Sequence, residues 1–245
     1  MIAGRLAWLD VARGIALVGM AVYHFVWDLT LFGLVEPGVP FEPGWKLLAR
    51  GVATSFLFLV GLGLVIAHGR AIRWRSFLRR FAKIAGAAAL ITLATFFAIP
   101  DQFIFFGILH MIALGSLLGL ALVARPALVA IVVGLAVAVI GFTVEAPVFD
   151  RPVFWWTGLG TLPIRSNDLV PFFPAFAAIC AGIAVGKLTG LADRTSSPAQ
   201  SARASRTADL TLPLAFLGRH SLATYLLHQP VLIGLLWLAV RSGVL

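Results

Sequence analysis

Seven long apolar stretches follow one another along the chain, and short segments containing polar residues, glycine or proline separate them. A helix needs about 20 mostly apolar residues to cross the hydrocarbon core of a bilayer, and each stretch approaches that length. The pattern therefore predicts an all-α fold, a polytopic transmembrane helical bundle with seven spanning helices in a single domain, 1–245. The predicted spans are approximately residues 12–34, 48–68, 81–99, 103–123, 126–143, 171–188 and 221–240.

The connections between these stretches differ in length and character. Residues 100–102 form a three-residue turn, which requires the helices on either side of it to be antiparallel neighbours. Residues 144–170 form a long connection that contains Trp155 and Trp156, and tryptophan is enriched at the membrane–water interface. Residues 189–212 are rich in Ser, Thr, Ala and Arg, which predicts a flexible cytoplasmic linker without catalytic residues.

The composition excludes a soluble globular domain. Of the 245 residues, 60% are hydrophobic and 12% are charged, and the charged share is half of the roughly 25% usual in soluble domains. The mean hydropathy is +1.00. The net charge of +9 does not indicate nucleic-acid binding, because the basic residues lie between apolar stretches. The single cysteine, Cys180, forms no internal disulfide bond.

The distribution of basic residues predicts the orientation of the helices. Loops rich in Lys and Arg face the cytoplasm, and residues 69–80 hold five arginines and no acidic residue. Alternation of the spans then places the N-terminus inside and the C-terminus outside, with fourteen basic residues inside and five outside. The inside set is Arg5, Arg13, Arg70, Arg73, Arg75, Arg79, Arg80, Lys83, Arg125, Lys187, Arg194, Arg203, Arg206 and Arg219, and the outside set is Lys46, Arg50, Arg151, Arg165 and Arg241.

A reporter fused to the C-terminus tests this orientation. An odd number of spans with the N-terminus inside carries the C-terminus across the membrane, so a fluorescent protein that matures only in the cytoplasm should stay dark there. The same reporter fused within residues 195–205 should be bright, which controls for expression. A bright C-terminal fusion would contradict the count of seven spans.

Four ionisable residues of the first apolar stretch lie on one stripe of the predicted helix. With Asp10 at zero, Arg13, His24 and Asp28 lie at about −60°, −40° and 0° for a rotation of 100° per residue. Ionisable side chains within a membrane face protein or water, so the stripe must face the interior of the bundle. Arg13 and His24 are separated by about 16 Å along the axis, which places the histidine deeper.

These four residues allow structural and functional interpretations. Arg13 can extend to the cytoplasmic interface and pair with Asp10 at i, i+3, and His24 with Asp28 can form a buried pair at i, i+4. The functional hypothesis makes His24 a general base whose tautomer and orientation are fixed by Asp28. Intramembrane Asp, Arg and His also build proton and substrate pathways, so a transporter or channel is the alternative function.

Further polar residues lie in the later helices. His110, His228 and Gln229 either hold helices together through hydrogen bonds or support the reaction. Pro230 should kink its helix. His68 and His220 lie at helix ends beside arginines, which is typical of the interface. No HxxxH or HExxH spacing is present, so no metal site is predicted.

Five segments together resemble a known family. They are LDVARGIAL at 9–17, FLVGLG at 58–63, FGILH at 106–110, DLVPFFP at 168–174 and LGRHSLATYLLHQP at 217–230. The chain is similar to the bacterial membrane proteins that share the catalytic domain of heparan-alpha-glucosaminide N-acetyltransferase. The arginine and histidine at positions 13 and 24 also resemble the motif of the related acyltransferase-3 family. The eukaryotic enzyme has asparagine in place of His24, so its glucosaminide substrate is not carried over.

The resemblance implies a multi-pass acyltransferase of the plasma (inner) membrane. It would move an acyl group, in particular acetyl, from cytoplasmic acyl-CoA to a hydroxyl or amine, for instance of a sugar or envelope glycan on the outer side. It implies His24 as the catalytic residue and acyl-CoA as a cosubstrate, with no permanently bound cofactor. The partners expected are the bilayer, acyl-CoA and the glycan acceptor, not nucleic acid, and the sequence leaves homo-oligomerisation open.

The candidate site residues fall into three groups under this hypothesis. The catalytic pair is His24 with Asp28. The acyl-CoA-binding residues are Arg13, Asp10 and Arg219. The phosphates of acyl-CoA would lie at the basic cytoplasmic side, where Arg13, Arg219 and the arginines of residues 69–80 are available. The residues expected to support the reaction or bind the acceptor are His110, Asp168, Arg165, His228 and Gln229.

Overall fold

The computed structural model describes residues 7–194 and 212–244. These residues contain helices and no strand, which confirms the predicted all-α fold class. The helices are α1 (Ala7–Leu31), α2 (Pro43–His68), α3 (Trp74–Ala98), α4 (Ile108–Val123), α5 (Ala127–Thr143), α6 (Phe172–Leu188), α7 (Leu191–Arg194), α8 (Leu212–Arg219) and α9 (Ser221–Arg241), with short 3₁₀ turns at Val39–Phe41, Pro100–Gln102, Pro147–Asp150 and Pro152–Thr157.

Every predicted apolar stretch corresponds to a helix. Among the described residues, α1, α2, α3 and α9 are long and apolar enough to cross a membrane. Helices α4, α5 and α6 are equally apolar but have only 16 or 17 residues, or about 24–26 Å at 1.5 Å per residue. That length falls short of a hydrocarbon core of about 30 Å, so the count of seven spans stays a prediction.

Several helix boundaries differ from the prediction: α1 begins at Ala7 and α2 at Pro43, instead of residues 12 and 48, and the starts of α3 and α4 differ as well. The predicted loop at residues 69–80 ends at Arg73, because α3 begins at Trp74 and carries Arg75, Arg79 and Arg80 on its first turns. Arginine is a good helix former, and its long side chain reaches water from a helix that extends past the apolar core. After the turn that follows α3, the next helix, α4, begins at Ile108 instead of residue 103.

The described chain divides into two compact units. Unit 1 comprises Met1–Phe56 and Pro198–Leu245, and unit 2 comprises Leu57–Ser197. The boundary therefore falls within α2. Most of the predicted linker at 189–212, residues 195–211, lies outside the described residues.

In unit 1, α1 packs against α8 and α9. The backbones of α1 and α8 touch where they cross, because a glycine of each helix faces the backbone of the other. A Cβ atom on Gly14 would overlap the carbonyl group of Leu214, and one on Gly218 would overlap the carbonyl group of Asp10. The segment that follows α8 then leads directly into α9, which lies along α1.

In unit 2, α6 packs against α4, α5 and the second half of α2. The crossing of α2 and α6 repeats the reciprocal pattern of glycines. A Cβ atom on Gly61 would overlap the carbonyl oxygen of Ile179, and one on Gly182 would overlap that of Phe58. Lys187 of α6 donates a hydrogen bond of 2.6 Å to the carbonyl oxygen of Val123 at the end of α4.

The connection between α5 and α6 is folded around Asp150. The Oδ2 atom of Asp150 accepts a hydrogen bond of 2.7 Å from the hydroxyl of Thr161, and its Oδ1 accepts bonds from the backbone N–H groups of Thr161 and Leu162. These donors, led by the Thr161 hydroxyl, hold the pKa of Asp150 below its ordinary value. Trp155 donates its indole N–H to the Asp150 carbonyl oxygen at 2.8 Å, which ties the two 3₁₀ turns together.

Candidate active site

Helices α1 and α9 bring four polar side chains together within unit 1. The imidazoles of His24 and His228 are in contact, with Nδ1 of His24 3.2 Å from Nε2 of His228 and ring centroids 4.9 Å apart. One turn further along α1, Asp28 accepts a hydrogen bond of 2.5 Å from Nε2 of Gln229. His24 and Asp28 of α1 thus each contact a polar residue of α9.

The proton on His228 is located by a backbone carbonyl. Its Nδ1 lies 2.5 Å from the carbonyl oxygen of Tyr225. A carbonyl oxygen only accepts hydrogen bonds, so Nδ1 must carry the proton. In the neutral ring, Nε2 of His228 is then a hydrogen-bond acceptor, and it is the atom that faces His24.

The same reasoning locates the proton on His24. Its Nδ1 lies 3.1 Å from the carbonyl oxygen of Met20 and 3.2 Å from Nε2 of His228, both of which are acceptors. Nδ1 therefore carries the proton and donates it between the two. The other nitrogen, Nε2 of His24, keeps its lone pair, and none of the described residues forms a hydrogen bond with it. The geometry gives His24 one nitrogen available as a base.

Asp28 does not contact His24 as the sequence predicted. Its carboxylate is fully buried and bonds Gln229 of α9, while the His24 imidazole bonds the Met20 carbonyl and His228. The predicted pair at i, i+4 is not formed, and each of the two side chains has a side-chain partner on α9 instead. Two buried acceptor atoms, Oδ2 of Asp28 and Oε1 of Gln229, have no donor among the described residues.

The residues predicted to bind acyl-CoA lie towards the beginning of α1. Nη1 of Arg13 contacts Oδ1 of Asp10 at 3.1 Å, so the pair predicted at i, i+3 is formed, and Asp10 is buried. Gly218 packs against the backbone of Asp10, and the next residue, Arg219, is exposed. Among the described residues, Arg13 and Arg219 therefore lie at this end of unit 1, and His24 follows Arg13 on α1 by about 16 Å.

His110 lies in unit 2 with all of its hydrogen-bonding capacity used. The backbone N–H of Gly107 donates to Nδ1 of His110 at 3.2 Å, so Nδ1 is unprotonated and Nε2 carries the proton. Nε2 lies 3.1 Å from Oγ1 of Thr92, whose own proton goes to the carbonyl oxygen of Ile104 at 2.7 Å. His110 thereby caps α4 and links it to α3.

Asp168 reinforces the same helix end. Its Oδ2 accepts a hydrogen bond of 3.2 Å from the backbone N–H of Ile108, the first residue of α4. A carboxylate at a helix N-terminus also interacts favourably with the helix dipole. Arg165, which precedes it on the connection, is exposed. These contacts explain why α4 begins at Ile108 and not earlier.

We expect His110→Ala to reduce stability and to leave acyl transfer within a few-fold of the wild type. The substitution leaves the buried N–H of Gly107 without its acceptor, which costs about 1–3 kcal/mol. Thermal unfolding and transfer rate of the purified variant measure the two effects. Thr92→Val, which removes the other side of the contact, should behave in the same way. A stable but inactive His110→Ala variant would assign His110 to the chemistry.

The contact between the two histidines was not found from the sequence. One feature of the sequence could have predicted it: two apolar stretches each contain two polar residues close together, His24 and Asp28 in one, His228 and Gln229 in the other. Such pairs satisfy each other when the helices pack. Within residues 7–194 and 212–244, no group of three His, Cys, Asp or Glu side chains is placed to hold a metal ion.

A comparison with models of protein families gives a match over most of the chain. The sequence model of the family described as heparan-alpha-glucosaminide N-acetyltransferase, catalytic, matches residues 5–230. This range includes both histidines of the cluster. No curated protein and no solved structure matches the chain.

Proposed function

Since the chain belongs to the heparan-alpha-glucosaminide N-acetyltransferase catalytic family, we propose that it is a plasma-membrane acyltransferase that uses cytoplasmic acyl-CoA. The group transferred is an acyl group, in particular acetyl, and the acceptor is a hydroxyl or amine, for instance of a sugar or envelope glycan on the outer side. The observation that carries this proposal is the His24 imidazole. Its Nδ1 is held by an acceptor on each side, while Nε2 is left as a base.

The proposed reaction is a direct transfer. Nε2 of His24 takes the proton of the acceptor hydroxyl or amine while the acceptor's oxygen or nitrogen attacks the thioester carbonyl carbon. The bond between that carbon and sulfur breaks, and the CoA thiolate leaves with the electron pair. The proton on His24 then passes to the thiolate, which restores the neutral imidazole.

Asp28 and Gln229 support binding of the acceptor in this proposal. Their two unpartnered oxygen atoms are buried hydrogen-bond acceptors one helical turn from the base. A buried acceptor without a donor costs about 1–3 kcal/mol, and a ligand that supplies an O–H or N–H group recovers that free energy. Sugars and amines both supply such groups.

Arg13 and Arg219 are proposed to bind the phosphates of acyl-CoA, with Asp10 holding the Arg13 guanidinium in place. The distance of about 16 Å along α1 from Arg13 to His24 is comparable with an extended pantetheine arm. The thioester would then reach His24 while the nucleotide stays at the membrane surface.

The purified protein with radiolabelled acetyl-CoA tests the proposal. Saturable binding and release of free CoA in the presence of a glycan acceptor are expected. Arg13→Ala should raise the KM for acetyl-CoA at least several-fold, whereas Arg50→Ala, an exposed arginine of α2 on the predicted outer side, should not. Absence of both binding and CoA release would contradict the proposal and favour the transporter or channel.

A further inference from the structure

We propose that His228 is the proton-accepting partner of His24, so that the two rings act as a relay whose direction is fixed by two backbone carbonyls. This inference rests on the proposed function, because it concerns what happens to the charge when His24 acts as a base. His228 acts through His24 and is therefore a positioning residue, not a group that touches the substrate.

The direction of the relay follows from the two carbonyls. The Tyr225 carbonyl holds the His228 proton on Nδ1, which leaves the Nε2 lone pair facing His24. The Met20 carbonyl favours a proton on Nδ1 of His24, which is the proton shared with His228. In the 3.2 Å contact, Nδ1 of His24 is therefore the donor and Nε2 of His228 is the acceptor. The remaining nitrogen of His24, Nε2, keeps its lone pair.

The relay balances its protons. When Nε2 of His24 receives the acceptor's proton, the ring becomes an imidazolium with a proton on each nitrogen. The Nδ1 proton can then move 3.2 Å along the existing hydrogen bond to Nε2 of His228. His24 is left neutral with its proton on Nε2, and His228 carries the positive charge on a ring that also donates to the Tyr225 carbonyl. When the thiolate takes the Nε2 proton, the proton on His228 returns to His24.

No other hydrogen-bond partner of His24 within the described residues can perform this step. The Met20 carbonyl accepts a hydrogen bond but does not accept a proton at physiological pH. Asp28 forms no hydrogen bond with the His24 imidazole, and its Oδ1 accepts from Gln229 instead. Two imidazoles have the same intrinsic basicity, so His228 can accept the proton, and spreading the charge over both rings stabilises it in a site of low dielectric constant. The Met20 carbonyl favours the return of the proton to Nδ1 of His24.

The decisive variant is His228→Gln. The glutamine Oε1 can accept the hydrogen bond from Nδ1 of His24 near the position of the imidazole Nε2, but an amide cannot take the proton. We expect kcat to fall about tenfold to a hundredfold, a part of the contribution of general-base catalysis, with the KM for acetyl-CoA unchanged. His220→Gln, the same change at an exposed histidine, should leave kcat unchanged.

Two measurements separate a relay from a hydrogen bond that only orients His24. The dependence of kcat on the deuterium content of the solvent should be curved in the wild type, because two protons move, and linear in His228→Gln. In protein labelled with ¹⁵N-histidine, NMR at neutral pH should show the Nδ1–H tautomer for both rings.

Wild-type kcat and a curved solvent dependence in His228→Gln would overturn the relay, and so would an Nε2–H tautomer of His24. Loss of activity in His24→Ala together with full activity in His228→Gln would reject the relay and keep the acyltransferase. Full activity in His24→Ala would instead reject the proposed base, whatever His228→Gln does.

Discussion

Replacing His24 with alanine is expected to lower the rate of acyl transfer about 10²–10⁴-fold, the usual contribution of a general base. This loss corresponds to roughly 3–5 kcal/mol of activation free energy. Alanine is apolar, so the membrane accepts it without a solvation penalty, and the Gln229–Asp28 hydrogen bond on the neighbouring turn is not touched. The variant should therefore fold and insert normally.

Transfer of radiolabelled acetyl groups by the purified variant, measured beside its unfolding temperature, tests this expectation. Asp28→Asn is the informative companion, because it changes a buried neighbour that does not contact the His24 imidazole. It should lose less activity than His24→Ala. A His24→Ala protein with full activity and a lowered unfolding temperature would show that His24 serves packing alone.

The second large effect is expected at the glycine crossing of unit 2. Gly61→Ala places a Cβ atom over the Ile179 carbonyl oxygen and 2.9 Å from the backbone nitrogen of Ile183. Both neighbours are backbone atoms, so no side-chain rotation relieves the overlap, and the helices must separate. Overpacking of this kind costs about 1–3 kcal/mol or more. Gly182→Ala, on the facing helix, should destabilise to a similar extent.

Gly86→Ala and Gly234→Ala are matched controls for this prediction. Both glycines lie within helices, and a Cβ atom at either position meets nothing within 4 Å. Alanine is the better helix former by about 1 kcal/mol, so these two changes should be neutral or stabilising. The unfolding temperatures of all four variants in the same detergent show whether each substitution raises or lowers the stability relative to the wild type. Equal behaviour of the two pairs would contradict close contact at the crossing.

The existence of the helices followed from the sequence, because uninterrupted apolar residues have no other stable arrangement in a membrane. The helix ends did not. The start of α3 depends on interfacial arginines that tolerate a helix beyond the apolar core, and the start of α4 depends on a histidine cap and on the Asp168 carboxylate, 60 residues away in the chain. Such caps are tertiary contacts, which a pattern within one segment does not encode.

For the candidate site, too, the sequence predicted the features that lie within one helix and not the contacts between helices. The stripe on α1 is a property of one helix, and its periodicity predicts that Asp10, Arg13, His24 and Asp28 all face the interior. In the structure Asp10 and Asp28 are buried, whereas Arg13 and His24 are half-buried. The side-chain partner of His24 was predicted within α1, at Asp28, but the structure provides it from α9, at His228, 204 residues later. Local spacing favours i, i+4 contacts, and it carries no information on which polar residue of another helix lies closer.

The protons of both histidines are held by main-chain oxygens of Met20 and Tyr225. Any residue that keeps the helix intact supplies the same oxygen, so the tautomers do not depend on the side chains at these two positions. Substitution of side chains that line the proposed acceptor site therefore leaves the protonation state of the proposed base, His24, unchanged. A change of acceptor specificity in this scaffold therefore does not require a new catalytic mechanism.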